Sequence, residues 1–410
     1  MLRSIDPATQ YQETRRDPLR VLVVGAGVAG VTTARLLRHH GLHPVLIERS
    51  ATGGAEGYML ALMPMVTPVF EELDLWPEYR KNGIPFGRYR LCAHTGRAVR
   101  TDSMGELLAD YGDYRGISRG GLLDVLSGAD CPVSPGTTVA ALTEAGDAVT
   151  VRFDPGEDAV EYEFDLVVVA DGIGSATREL VGAGPVGGLN TGWGGWVAWA
   201  PADDEQDLGE ELWGAGFFLG SYPVLDRIGV FLGGPDAVTA DGPERFVAEV
   251  QRRLHAPTAR TRRALRAVLD ADDPYYWPMR DVRASRWVTR HTVLLGDAAA
   301  GFLPTAGIGA GMAMESAWVL SRLLRHADRA NLATLLEAYE GVQRPRVEAA
   351  QDNSRSLAKM MFRSGTAFAV GRDVAARLLS IRTVLKPIRQ LLDGRPDPDA
   401  AARRALSRTA

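Results

Sequence analysis

The chain has 410 residues, 46% hydrophobic and 24% charged, with a formal net charge of -5 at pH 7. That length predicts two or three packed units of an ordinary globular protein, and the acidic balance argues against nucleic acid, whose binding surfaces are normally basic. The two cysteines, Cys92 and Cys131, have no metal-ligand or disulfide-framework spacing, which suits a reducing cytoplasm.

The first 18 residues are polar and lack the apolar core of a secretory signal, so a loose arm is expected there. No run of 18 uninterrupted apolar residues exists, so no integral membrane segment is expected. Ordered structure is predicted to begin with a strand at 19–24. A Gly-rich turn follows, then an apolar-periodic helix at 28–40 stopped by Gly41, then a strand at 44–47 ending at Glu48. Residues 88–103 read as strand, turn and strand around His94-Thr95-Gly96. A short helix is expected near 122–126, and strands at 149–153 and 162–169, separated by Asp154-Pro155-Gly156.

From 187 to 278 the composition shifts toward Trp, Tyr, Phe, Gly and β-branched residues. This predicts a mainly antiparallel sheet with helices near 244–255 and 261–269. A buried strand is expected at 292–295 and a helix, apolar nearly all round, at 310–324. The rest is helical in pattern, with interruptions at Pro345 and Pro387 and fraying from about Asp393. Within it, 367–392 mixes apolar residues with Arg and Lys, and would either pack on the preceding unit or lie on a surface. The fold class is α/β. A discontinuous Rossmann-type nucleotide-binding unit is expected from 19–186 and 279–340. A sheet unit is expected from 187–278 with help from the 88–103 hairpin, and C-terminal helices from 341–410.

Gly25-Ala26-Gly27-Val28-Ala29-Gly30 fits G-x-G-x-x-G between a strand and a helix, the context that gives the motif meaning. Gly25 permits the tight turn, Gly27 lets a pyrophosphate approach the backbone, and Gly30 lets the helix pack closely on the strand. The free N–H groups at the helix start favour an anion. Glu48, followed by Arg49, ends the next strand, where a carboxylate can accept hydrogen bonds from ribose hydroxyls. This motif alone does not separate FAD from NAD.

Two later segments repeat the geometry. One strand runs into Asp171-Gly172, with Ser175 capping a short helix that contains Arg178. Another runs into Gly296-Asp297, then Pro304, then Gly307-Ile308-Gly309-Ala310-Gly311-Met312 at the start of the buried helix. Each places a carboxylate at the carboxyl edge of a sheet, where open α/β sheets bind ligands. The Gly cluster exposes backbone N–H groups, and its small residues let a flat ring lie against the main chain.

In this order and spacing the three segments resemble the group A flavoprotein monooxygenases, the para-hydroxybenzoate-hydroxylase-like family. Gly25 to Gly30 is similar to its dinucleotide fingerprint, and Asp171 to Arg178 to its D-G-x-x-S-x-x-R segment, associated with FAD and NAD(P)H. Gly296-Asp297 is similar to its second FAD segment, in which the Asp holds the ribitol hydroxyls. Arg119 resembles the family arginine that reaches FAD from a short helix, and Tyr339-Glu340 with Arg344-Pro345-Arg346 resembles the helix after the flavin unit. The resemblance covers about residues 19–350. The chain departs from the pattern at Ala300, Ile308 and Ser316, where the family usually has His, Gln and Asp.

The resemblance implies FAD as cofactor and NADH or NADPH as transient reductant. It implies a C4a-hydroperoxyflavin that gives one oxygen of O2 to an aromatic or polyketide-like small molecule, by hydroxylation or epoxidation. Such a species must be shielded from water. No second Gly-rich βαβ unit follows residue 50, so no separate nicotinamide unit is expected. Trp193, Trp196, Trp199, Trp213, Phe217, Phe218, Tyr222 and Trp277 either stack on substrate or fill the sheet core. Met59, Leu60 and Leu62 resemble the segment bordering flavin and substrate. No catalytic base is assigned; His94 and His291 are candidates only by residue type. An FAD-bound enzyme with a non-redox, cyclase-like role is the alternative reading. A flavin halogenase is disfavoured because Trp196-Val197-Ala198-Trp199-Ala200-Pro201 has the wrong spacing.

Overall fold

Val21–Val24, Val45–Glu48 and Leu166–Val169 are strands with almost every side chain buried, the signature of a parallel sheet covered on both faces. The computed structural model describes residues 2–52, 57–128, 130–154 and 160–408. In it these strands form the middle of a six-stranded sheet. Its order is Leu2–Ser4, Cys131–Pro135, Val45–Glu48, Val21–Val24, Leu166–Val169 and Thr292–Leu294, every pair parallel. Because all strands run one way, their carboxyl ends share an edge. Ile47, Val24, Val169 and Leu294 stand side by side in register. Three segments far apart in sequence therefore leave the sheet at one place, where such sheets bind ligands. The helices Val28–His39 and Gly309–Leu324 pack against each other and are largely buried.

A second, seven-stranded sheet has the order Tyr275–Arg280, Asn190–Pro201, Arg227–Pro235, Phe218–Val224, Leu208–Trp213, Arg88–Cys92 and Ala98–Ser103. Its pairs are antiparallel except Leu208–Trp213 with Arg88–Cys92. The 88–103 hairpin thus joins the strands of the aromatic-rich region. Side chains alternate between the two faces. Trp196, Leu212, Leu219 and Val230 pack under the helices Pro243–Arg253 and Ala259–Asp270. Val197, Trp213, Phe218, Phe231 and Met279 form a separate cluster on the other face.

Four expectations are corrected. The first residues are not a loose arm: Leu2–Ser4 is the edge strand of the parallel sheet, and Pro7–Thr14 is a helix capped by Asp6. The cause is Gln10, whose buried amide donates to Leu46 O (3.1 Å) and Ser134 Oγ (2.7 Å) and accepts from Leu46 N–H (3.0 Å). Gln10→Ala is expected to cost about 1–2 kcal/mol by leaving these groups unpaired, measured as a lowered urea midpoint. The run 162–169 is two strands, Glu161–Phe164 and Leu166–Val169. Between them Asp165, 1% exposed, accepts from Arg20 N–H (2.7 Å) and pairs with its guanidinium (3.1 Å).

Pro345 does not interrupt its helix, which runs from Leu332 to Met361. Gln343 Nε2 bonds Glu315 (3.2 Å) and Arg346 pairs with Glu315 (2.6 Å), holding both sides of the proline against Gly309–Leu324. The end is not frayed either: Pro398–Leu406 is a helix capped by Asp397, with Ala401 and Ala402 buried and Asp399 paired with Arg322. Pro387 does mark a break, standing at the start of the helix Lys386–Asp393. Of the turn expected at Asp154-Pro155-Gly156, Pro155 and Gly156 lie outside the described residues. Among the described residues no helix is long and apolar enough to cross a membrane, and no cluster of His, Cys, Asp or Glu suited to a metal ion is found.

Candidate active site

The first turn after the sheet edge is built by close backbone contact. Gly25 has φ +98°, and a Cβ there would lie 2.6 Å from Ala170 O. A Cβ on Gly30 would lie 1.8 Å from Gly25 O, so only glycine lets the helix close on the turn. Gly27 caps the helix Val28–His39, and the space where its Cβ would be is open. Glu48 braces this turn: Oε2 accepts from Ala26 N–H (2.8 Å) and Oε1 from Ser50 N–H (2.9 Å). Each oxygen keeps a lone pair for a further donor.

Gly296, at φ +60°, brings the third segment against the first: a Cβ there would lie 2.8 Å from Ala29 Cβ. Asp297 then faces a cavity of about 960 Å³ that Gly27, Val28, Ala29 and Gly172 also line. Arg119, Pro304, Gly307, Gly309 and Ala310 complete this end of it. The N-termini of both long buried helices therefore open onto one space, where their dipoles favour negative charge. The Asp297 carboxylate makes no side-chain hydrogen bond among the described residues, and burial pushes its pKa up to about 6. The Arg119 side chain makes no hydrogen bond or ion pair among the described residues, and its stem lies against Gly57. Tyr58 packs on Trp277 with ring centres 4.5 Å apart. Burial, reinforced by Asp297 and opposed by Arg119, pushes its phenol up to about 12.

The remaining expected residues do not line this cavity. Gly25 and Gly30 lie behind the first turn, and Arg49 is exposed. Asp171 stands next to the lining residue Gly172; its Oδ2 accepts from Thr177 N–H (3.3 Å) and its Oδ1 is buried with no partner among the described residues. Arg178 is 7% exposed and donates to Ala298 O (2.8 Å) and Ile173 O (3.2 Å). It bolts the second segment to the third. Gly296 and Met312 border a separate small void, and Gly311 packs tightly on Met65. The departures Ala300, Ile308 and Ser316 are all buried away from the cavity wall, with Ser316 bonded to Met312 O (2.8 Å) and Gln343 (3.0 Å).

The opposite wall is the second sheet. Trp213, Phe218, Tyr222 and Trp277 line the cavity; Trp193, Trp196, Trp199 and Phe217 do not. Met59 and Leu60 line it, whereas Leu62 is buried in the core. His94 binds Asp373 (2.5 Å) and His291 is buried against Asp165 O (3.0 Å), so neither reaches the cavity. Sequence reasoning missed Tyr89 and Glu211, whose strands place them on the same face as Trp213 and Tyr222. It also missed Phe368, Arg372 and Leu379, which close the far side from the C-terminal helices.

The model of the family described as FAD binding domain matches residues 18–354. The chain is 27% identical over 362 residues to a flavin-dependent monooxygenase of an unknown prokaryotic organism, covering 81% of this chain and 87% of that protein. It is 28% identical over 336 residues to 2-heptyl-3-hydroxy-4(1H)-quinolone synthase of Pseudomonas aeruginosa, covering 78% and 84%. Its fold is similar to that of Klebsiella pneumoniae HpxO complexed with FAD and uric acid, with TM-score 0.81, 22% identity, and coverage of 92% and 97%.

Proposed function

The chain belongs to the FAD binding domain family and is an FAD-dependent monooxygenase, and from that premise we propose that it uses NADH or NADPH and O2 to place one oxygen atom on an aromatic or polyketide-like small molecule. One observation carries the reading. Open backbone at Gly27, Gly172 and Gly307, with an Asp297 carboxylate and an Arg119 guanidinium that are unpaired among the described residues, faces a cavity whose other wall is aromatic.

These residues fit FAD. The helix start at Gly27 suits the pyrophosphate, and the free oxygen lone pairs of Glu48 suit a ribose. Asp297 suits the ribitol hydroxyls, and Arg119 the flavin from the side of Tyr58. The small residues Gly307, Gly309 and Ala310 leave room for a flat ring on the main chain. FAD held there would supply the redox chemistry between the nicotinamide and O2. The chain's own residues orient and exclude water. Met59, Phe218, Phe231 and Trp277 form an apolar wall that keeps bulk solvent from the reacting atoms.

The test is direct. FAD-loaded protein, given a panel of phenols, quinolones and naphthols, is expected to oxidise NADH or NADPH with matching O2 consumption and to yield a product one oxygen heavier. Tight FAD with no nicotinamide oxidation across the panel would count against a redox role.

A further inference from the structure

The strand Leu208–Trp213 carries two consecutive carboxylates that point to opposite faces. Glu210 is 2% exposed on the helix side, where Arg90 neutralises it at 3.1 Å and Thr258 and Thr261 donate to it. Glu211 faces the cavity and makes no ion pair among the described residues. Three neutral donors hold it instead. Oε2 accepts from Tyr89 Oη (2.7 Å) and Trp213 Nε1 (2.9 Å), and Oε1 accepts from Tyr222 Oη (2.7 Å). A carboxylate has about four acceptor positions, so one remains on Oε1.

The arrangement is built into the sheet. Gly220 stands directly across from Glu211, and a Cβ there would lie 2.6 Å from Tyr222 Oη. Only glycine lets that ring fold back over its own strand to reach the carboxylate. The tyrosines stay protonated as donors: burial and Glu211 itself hold the Tyr89 and Tyr222 phenols well above their usual range. Their hydroxyl hydrogens are committed to Glu211, so what they offer the cavity is oxygen lone pairs. The nearby cations are held by other groups. Arg100 pairs with Asp102, and Arg372 donates to the carbonyls of Trp213 and Gly214, lies against the Trp213 and Phe368 rings and stands 4.0 Å from Asp373.

We infer that Glu211, held in place by Tyr89 and Tyr222, is the specificity determinant of the substrate end of the cavity, selecting a planar molecule that presents an O–H or N–H donor and rejecting one that presents a carboxylate. This rests on the reading of the cavity given above. A site made of acceptors leaves its buried groups unpaired when the ligand lacks a donor, the situation in which discrimination is large. An anionic ligand at this end meets the like charge of Glu211, while Arg119 stands at the end of the cavity assigned to FAD.

The probes are 2-naphthol, 2-methoxynaphthalene and 2-naphthoate, one skeleton with the donor present, capped, or replaced by an anion. Binding to FAD-loaded protein is read from the flavin spectrum. The parent is expected to prefer naphthol over the methoxy compound by roughly tenfold or more, as for a hydrogen bond to a charged group, and to bind naphthoate weakest. Glu211→Gln is expected to lose the preference for naphthol and to gain affinity for naphthoate. Tyr222→Phe, which keeps the carboxylate and frees an acceptor position, is expected to retain it. The inference is overturned by naphthoate binding tightest to the parent, by no naphthol binding, by an unchanged ranking in Glu211→Gln, or by loss of preference in Tyr222→Phe. The same titrations on FAD-free protein, followed by tryptophan fluorescence, separate the two readings: a wrong ranking there counts against the acceptor site, and a correct ranking with no nicotinamide oxidation by the loaded protein counts against the proposed reaction alone.

Discussion

Gly30→Ala is expected to destabilise the protein by about 3 kcal/mol or more, since a backbone clash cannot be relieved by a side-chain rotation. The added methyl would sit 1.8 Å from Gly25 O and 3.0 Å from Gly25 C. Either the helix Val28–His39 moves off its strand or the turn at Gly25 opens. The turn has little room, because Gly25 already lies against the main chain of Ala170 and Asp171. FAD affinity should fall with stability, because the same movement shifts the N–H groups at Gly27. A urea midpoint and an FAD titration on the purified variant check both effects. Parent-like values for both would show that the closure of helix on turn is not needed.

Asp297→Ala is expected to change two quantities in opposite directions. FAD should bind more weakly by about 1.5–3 kcal/mol, the range for hydrogen bonds to a charged group. The FAD-free protein should become more stable above pH 6. Burial raises the Asp297 pKa from 3.8 to about 6. The folded state therefore holds this proton more tightly than the unfolded chain, and the parent loses stability as pH rises from about 4 to 6. Alanine removes that loss, for a gain of about 3 kcal/mol at pH 7 and little or none below pH 4. Truncation leaves no void, because the side chain borders open cavity. Urea unfolding of both FAD-free proteins at pH 4 and pH 7 reads the difference. A variant that retains FAD like the parent, or that is less stable at pH 7, contradicts the role given to Asp297.

The parallel sheet was legible because strands buried on both faces read as short apolar runs, and because Gly25, Gly172 and Gly296 follow them in sequence. Local patterning could not say that Ile47, Val24, Val169 and Leu294 would stand in one row; the resemblance supplied that, and the register bears it out. Arg178 shows the limit of a motif. It stands where the pattern places it, yet its guanidinium is committed to two carbonyls rather than to the cavity. The N-terminal arm was misread because its anchor is one polar side chain, Gln10, whose partners are 36 and 124 residues away. Glu211 was missed for a related reason. Two adjacent carboxylates in a strand look alike in sequence, and only the packing of each face shows which is neutralised by Arg90 and which is left to the cavity.

A crystal structure with FAD tests most directly whether the three sheet-edge segments serve one nucleotide. The expected density is a single FAD with its phosphates at Gly27, its ribitol at Asp297 and its ring between the Gly307 to Ala310 main chain and the sheet bearing Trp277. FAD at a different place on the protein, or a ring lying outside the cavity with Asp297 untouched, would contradict the account.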